Sequence, residues 1–205
     1  MELEKREFRD KIQSALKTLK QYQNPSYSKA TIQLLNSFGP YILLWILMYN
    51  LWDYSKALVV LLGILNAFFL VRIFIIQHDC GHNSFVSSRH MRNIVGYVCS
   101  LFSAIPYKYW ATSHHFHHNH NGMLEVRDIG DLDTLTVQEF AALTKFQRFW
   151  YRVYRSPIVM FGIIPIYYVL IHNRLALIKM PEFKKLKWSL TFNNVLLIGG
   201  VTLLC

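Results

Sequence analysis

Nine histidines occur in the 205 residues, and seven of them fall into two groups. The first is His78-Asp79-Cys80-Gly81-His82. Residues four apart share one face of a helix, so both imidazoles can approach one metal ion. A lone HxxxH fits a pair of core or interfacial histidines equally well. The second group is His114-His115-Phe116-His117-His118-Asn119-His120, five imidazoles in seven residues. On a helix His114, His117 and His118 share a face, the i, i+3, i+4 pattern, and His115 lies off it. Neutral imidazole suits iron, zinc, copper and nickel. Packing alone gives such density little purpose, because each buried ring must find hydrogen-bond partners. Together the groups favour a metal site, and spacing names neither the metal nor the reaction.

Neighbouring residues have plainer readings beside their chemical ones. Asp79 can orient a box histidine or be a surface carboxylate. Cys80 is two residues from each histidine of its group, off their shared face, and reads as a poor ligand. His120 reads as a polar helix-end residue in preference to a further ligand, and His90 and His172 as surface or interfacial. Asp128, Asp131 and Asp133 read as a solvated loop. The run Phe146–Arg155 (FQRFWYRVYR) has an RNA-binding composition, but beside apolar segments it reads as an interfacial belt.

These residues must be held by a membrane protein. Apolar residues make up 53% of the chain and charged residues 17%, against about 25% charged in an average globular chain. Fourteen Phe, 12 Tyr and 5 Trp add rings of the kind that collect at membrane interfaces. The formal charge of +10 fits loops at an anionic leaflet better than a nucleic-acid partner. Cys80, Cys99 and Cys205 form neither a CxxC nor a disulfide framework.

No charge occurs between Lys29 and Asp53, and Ala57–Ile76 is interrupted only by Arg72. Each run can cross the hydrocarbon core, for which about 20 residues suffice. A loop of about four residues joins them into a hairpin, with Arg72 placed to snorkel to the headgroups. Seven basic residues precede the first run, and only Lys56 lies in the loop, so both hairpin ends and the histidines are expected in the cytosol. Residues 1–37 contain no signal peptide, and Phe8, Ile12, Leu16 and Leu19 predict an amphipathic helix over 3–20, on the membrane or solvated. Asn93–Tyr107 and Ser156–His172 read as helices dipping into the cytosolic leaflet. Trp188–Cys205 reads as a span cut short. The fold class is therefore an all-α integral membrane protein: a transmembrane hairpin, cytosolic-face and interfacial helices, and a truncated further span. Its division is a cytosolic or interfacial region 1–37 and a membrane domain 38–205.

A hairpin, then His78–His82, then Trp110-Ala-Thr-Ser-His114-His115-Phe-His117-His118 resembles the membrane fatty acid desaturases. Gln77–Phe85 (QHDCGHNSF) is similar to the first histidine box of their acyl-lipid branch, and Gly130–Val137 (GDLDTLTV) to the segment after the second box. The resemblance covers about residues 38–205. It implies a di-iron centre on the cytosolic face, with His78, His82, His114, His117 and His118 as iron ligands. It also implies O2 as co-substrate, membrane-lipid acyl chains as substrate, and a separate electron donor, ferredoxin or cytochrome b5. The family carries a third box, again HxxHH, and beyond His120 this sequence has only His172. The expectation is therefore the N-terminal part of a longer desaturase, inactive by itself. Related di-iron hydroxylases and oxygenases, and a histidine-rich membrane metal carrier, are the competing readings. The carrier would line its spans with polar groups.

Overall fold

The computed structural model describes residues 2–20, 24–127, 129 and 132–204. Helices and turns account for every regular element among them, so the chain is an all-α membrane protein. Two compact units divide it, Met1–Gly96 and Tyr97–Cys205.

In the first unit α1 (Glu2–Lys20) leaves Phe8, Ile12, Leu16 and Leu19 exposed along one stripe. The Ser26 hydroxyl caps α2 (Tyr27–Leu51) and the Ser55 hydroxyl caps α3 (Lys56–Gly81), each accepting a backbone N–H of its first turn. Both helices are long and apolar enough to cross a membrane, and only 17% of each apolar stretch is buried within the protein. Lipid must cover the rest, including Leu43, Trp45, Leu61 and Phe68. At the hairpin turn the Lys56 ammonium lies 3.7 Å from the centre of the Trp52 ring.

Arg72 makes bonds that the sequence did not indicate. Its Nη2 donates to Asn36 Oδ1 at 2.8 Å and its Nε to the Ser37 hydroxyl at 3.3 Å. These bonds tie α3 to α2. α3 continues nine residues past Arg72, about two and a half turns at 3.6 residues per turn. Those extra turns carry His78 about 9 Å beyond Arg72 at 1.5 Å per residue. Asn83, with φ 62°, then stops the helix, a left-handed position that asparagine tolerates.

The uncharged run 93–107 is not one helix. α4 (Arg89–Ser103) ends where Ala104 adopts φ 54°, Pro106 follows, and α5 (Tyr107–His120) begins. The boundary between the two units falls inside α4.

The second unit is built around α5. After it come a 3-10 turn (Leu124–Val126), α6 (Val137–Ala142) and α7 (Lys145–Tyr154), the last two opened by capping boxes at Thr136 and Thr144. A π-helical turn (Val159–Ile163) leads into α8 (Ile164–Leu170) and a 3-10 turn (His172–Arg174). The segment Val159–Arg174 is bent by 53° from α7, as in a broken span or a re-entrant loop. A short α9 (Pro181–Lys184) and the 18-residue α10 (Lys187–Leu204) follow.

Tyr109, Phe183 and Leu190 form the buried core of this unit, with Ile129, Ile178, Met180 and Leu186 packed on it. One face of the first half of α10 meets protein: Ser189 bonds the Tyr97 hydroxyl at 2.8 Å, and Asn193 donates to the Ser100 hydroxyl at 2.6 Å. Its uncharged run is therefore partly a packing face, and among the described residues α10 is not one of the helices long and apolar enough to cross a membrane.

Candidate metal centre

The last turn of α3 delivers the first histidine pair. His78 lies within the helix and His82 caps it, and the His82 N–H still bonds the His78 carbonyl at 3.0 Å. That helical bond keeps the two rings on one side, with centroids 4.5 Å apart. Asp79 Oδ1 lies 3.2 Å from His78 Nδ1. A carboxylate on Nδ1 fixes the tautomer and turns Nε2 outward as the ligand atom. Of the two readings of Asp79, the orienting one matches this contact. Cys80 is 1% exposed and packed into the protein, which agrees with its being a poor ligand.

α5 delivers the second set, and Tyr109 fixes that helix. Its ring meets Phe183 edge-on, with centroids 5.4 Å apart, and its hydroxyl accepts the Ile178 N–H at 3.2 Å. The next residue, Trp110, stacks on His114 one turn further along, at 4.6 Å and 16° between planes. Sequence reasoning gave Trp110 no role; the signal available was its i, i+4 spacing to His114. The His114 and His118 Nε2 atoms lie 3.1 Å apart. Two ligands about 2.1 Å from one ion, at angles between square and tetrahedral, are roughly 3.0–3.4 Å apart. The pair therefore fits a shared metal ion.

His117 stands alongside, its ring centroid 6.1 Å from that of His114 and 5.6 Å from that of His118. His115 is exposed, off the shared face as the periodicity requires. His120 Nδ1–H donates to the Phe116 carbonyl at 2.9 Å, and its ring stacks on Phe116, so it closes the helix end. His90 is exposed. His172, expected at the surface or an interface, is half-buried: its Nδ1 is buried and its ring stacks on Tyr168 at 4.4 Å. Asp128, Gly130, Asp131 and Cys205 lie outside the described residues.

The comparisons bear directly on these helices. The fatty acid desaturase family profile matches residues 55–205, from the start of α3 through both histidine groups to the last residue. The chain belongs to the fatty acid desaturase family. A fatty acid desaturase of Bacillus subtilis is 40% identical over 153 residues, which cover 75% of this chain and 44% of that protein. An sn-1 oleoyl-lipid 12-desaturase of Synechocystis sp. is 31% identical over 121 residues, 59% of this chain and 34% of that one. An sn-1 acyl-lipid omega-3 desaturase (ferredoxin) of the same organism is 29% identical over 90 residues, 43% of this chain and 25% of that one. The chain thus spans less than half the length of these desaturases. No solved structure matches it.

Beyond the histidines, the described residues of this desaturase-family chain include a doubly bonded ion pair that sequence reading did not identify. Arg127 grips Glu139 with two bonds, Nη2 to Oε1 at 2.7 Å and Nη1 to Oε2 at 3.2 Å. Glu139 also accepts the Thr136 backbone N–H at 2.7 Å and its hydroxyl at 2.9 Å. The Arg127 bonds foremost, then those from Thr136, pull the Glu139 carboxyl down to about 2. The pair closes the segment that follows the second histidine group onto the start of α6.

Proposed function

We propose that the chain carries the iron-binding histidines of a membrane fatty acid desaturase, with His78, His82, His114, His117 and His118 as ligands of a di-iron centre. The observation that carries this reading is the 3.1 Å approach of His114 and His118 within the family-matched segment. Bound iron would activate O2 to remove hydrogen from an unactivated methylene pair, chemistry beyond side-chain acids and bases. In the overall balance O2 becomes two waters, with two electrons from the acyl chain and two from an external donor. Two protons come from water.

The protein's own residues supply position. Asp79 holds the His78 tautomer, Trp110 holds the plane of His114, and the turns of α3 beyond Arg72 lift His78 clear of the apolar core. The lipid-facing hairpin gives acyl chains of membrane lipids a way to approach from the bilayer. The donor is a separate protein, ferredoxin or cytochrome b5; a relative is named as using ferredoxin. Residues 38–205 form the desaturase domain and 1–37 a cytosolic or interfacial extension. The basic N-terminal residues support a cytosolic position for that end and for the histidines.

The test is metal content. The full chain, purified from membranes in detergent and loaded with ferrous iron, should retain iron, and His114→Ala and His118→Ala should each lose most of it. Equal iron in wild type and both variants would overturn the assignment. Membrane acyl chains analysed in the same cells report whether double bonds form.

A further inference from the structure

The turn His172–Arg174 concentrates polar atoms with nothing to bond. His172 Nδ1, Asn173 Nδ2 and Arg174 Nη2 are each buried without a hydrogen-bond partner, and Asn173 is only 4% exposed. Each such atom carries a desolvation cost that nothing offsets, larger when charged. Arg174 Nη1 is held by two neutral acceptors, Asn194 Oδ1 at 3.0 Å and Asn193 Oδ1 at 3.4 Å. Among the described residues no carboxylate pairs with Arg174. A half-buried guanidinium is thus mounted, one edge fixed, with no counter-charge.

Beside this turn lies a cavity of about 500 Å³. Ser113, Tyr168, His172 and Lys179 form its polar wall, and Leu177 and Met180 belong to its apolar one. None of the described residues lining it is acidic. The flanking Leu170, Ile171 and Leu175 are about half exposed or more, a surface for hydrocarbon. A cation, a spare amide, an uncompensated guanidinium and an apolar flank together match one ligand chemistry: an oxyanion joined to an acyl tail.

We propose that this cavity seats the phosphate of a membrane phospholipid, with Lys179 and Arg174 on the phosphate oxygens, Asn173 donating a further bond, and the tail along Leu177 and Met180. Phosphate matches the planar fork of arginine, which can give two parallel bonds. Asn173 and Arg174 flank the cavity rather than line it, so both side chains must turn toward it to reach the phosphate, Arg174 exchanging its two neutral amide acceptors for the anion. Ser113, on the cavity wall, immediately precedes His114, so the lipid would lie against the helix that carries the second histidine group. As a substrate seat the site deepens the function proposed above; as a binding site it needs no iron.

The iron-free full chain in a maltoside detergent tests it by titration calorimetry with dihexanoyl phosphatidic acid. The lipid should bind at least roughly tenfold more tightly than dihexanoylglycerol or inorganic phosphate, the scale of one charge-assisted contact. Lys179→Gln and Arg174→Gln should each weaken it about tenfold. Arg174→Gln also touches the Asn193 and Asn194 contacts, so the exposed Lys179 keeps the test decisive if that variant fails to fold. The proposal is overturned if the phosphate-free glyceride or free phosphate binds as tightly as the lipid. Unchanged affinity in Lys179→Gln also overturns it. Iron retention with lost lipid discrimination sinks this inference alone, and the converse sinks only the metal assignment.

Discussion

At the scale of single residues, the site depends on how rings are held. Trp110 stacks on His114, so Trp110→Ala frees that ring while leaving every ligand in place. Iron affinity should fall about 10-fold, the low end for residues supporting metal ligands, while helix content stays constant. A fall equal to that of His114→Ala would make Trp110 structural. Glu139 supplies a pH dependence with a defined sign. Its carboxyl titrates at about 2 when folded, against 4.5 ordinarily, because Arg127 and Thr136 bond its charged form. The stabilisation is therefore complete above pH 4.5 and lost as pH falls toward 2. Limited proteolysis of the segment before α6 should speed up between pH 4.5 and 3 in wild type. In Glu139→Gln it should already be fast at pH 6. Equal rates in both at pH 6 would remove the role of the pair.

At the scale of elements, two helix junctions carry measurable strain or glue. Ala104 ends α4 at φ 54°, a conformation costing a residue with a Cβ about 1–2 kcal/mol. Ala104→Gly should therefore raise the melting temperature of the detergent-solubilised chain, and an unchanged or lower value refutes the strain. The hairpin is joined by Arg72 to Asn36 and Ser37. Polar contacts between membrane helices contribute about 0.6 kcal/mol on average and up to about 1.7. Arg72→Leu should lower stability by that order, and Arg72→Leu combined with Asn36→Leu should recover part of it. Histidine spacing and the apolar runs made α2, α3 and α5 legible in the sequence. The break at Ala104–Pro106 and the inward face of α10 were not, because a charge-free run looks the same facing lipid or facing Asn and Ser partners on other helices.

At the scale of the molecule, the second unit stands on Tyr109, Phe183 and Leu190. Phe183→Ala should cost about 3–5 kcal/mol and loosen α5, so stability and iron retention should fall together. Iron retention without the stability loss would mean α5 needs no such support. What the sequence by itself determined is the all-helical membrane character, the lipid-covered hairpin, the family and the histidines that can meet on one helical face. These follow from composition, periodicity and local spacing, which act over a few residues. Only the tertiary structure decided which nitrogens approach to 3.1 Å, that Arg72 turns to α2, that Arg127 closes on Glu139, and that His172, Asn173 and Arg174 are buried without partners. The His114–His118 approach is a matter of side-chain rotamers one turn apart on α5, whereas the other three depend on how side chains from separate segments are packed, and packing distant segments together is what no local pattern encodes.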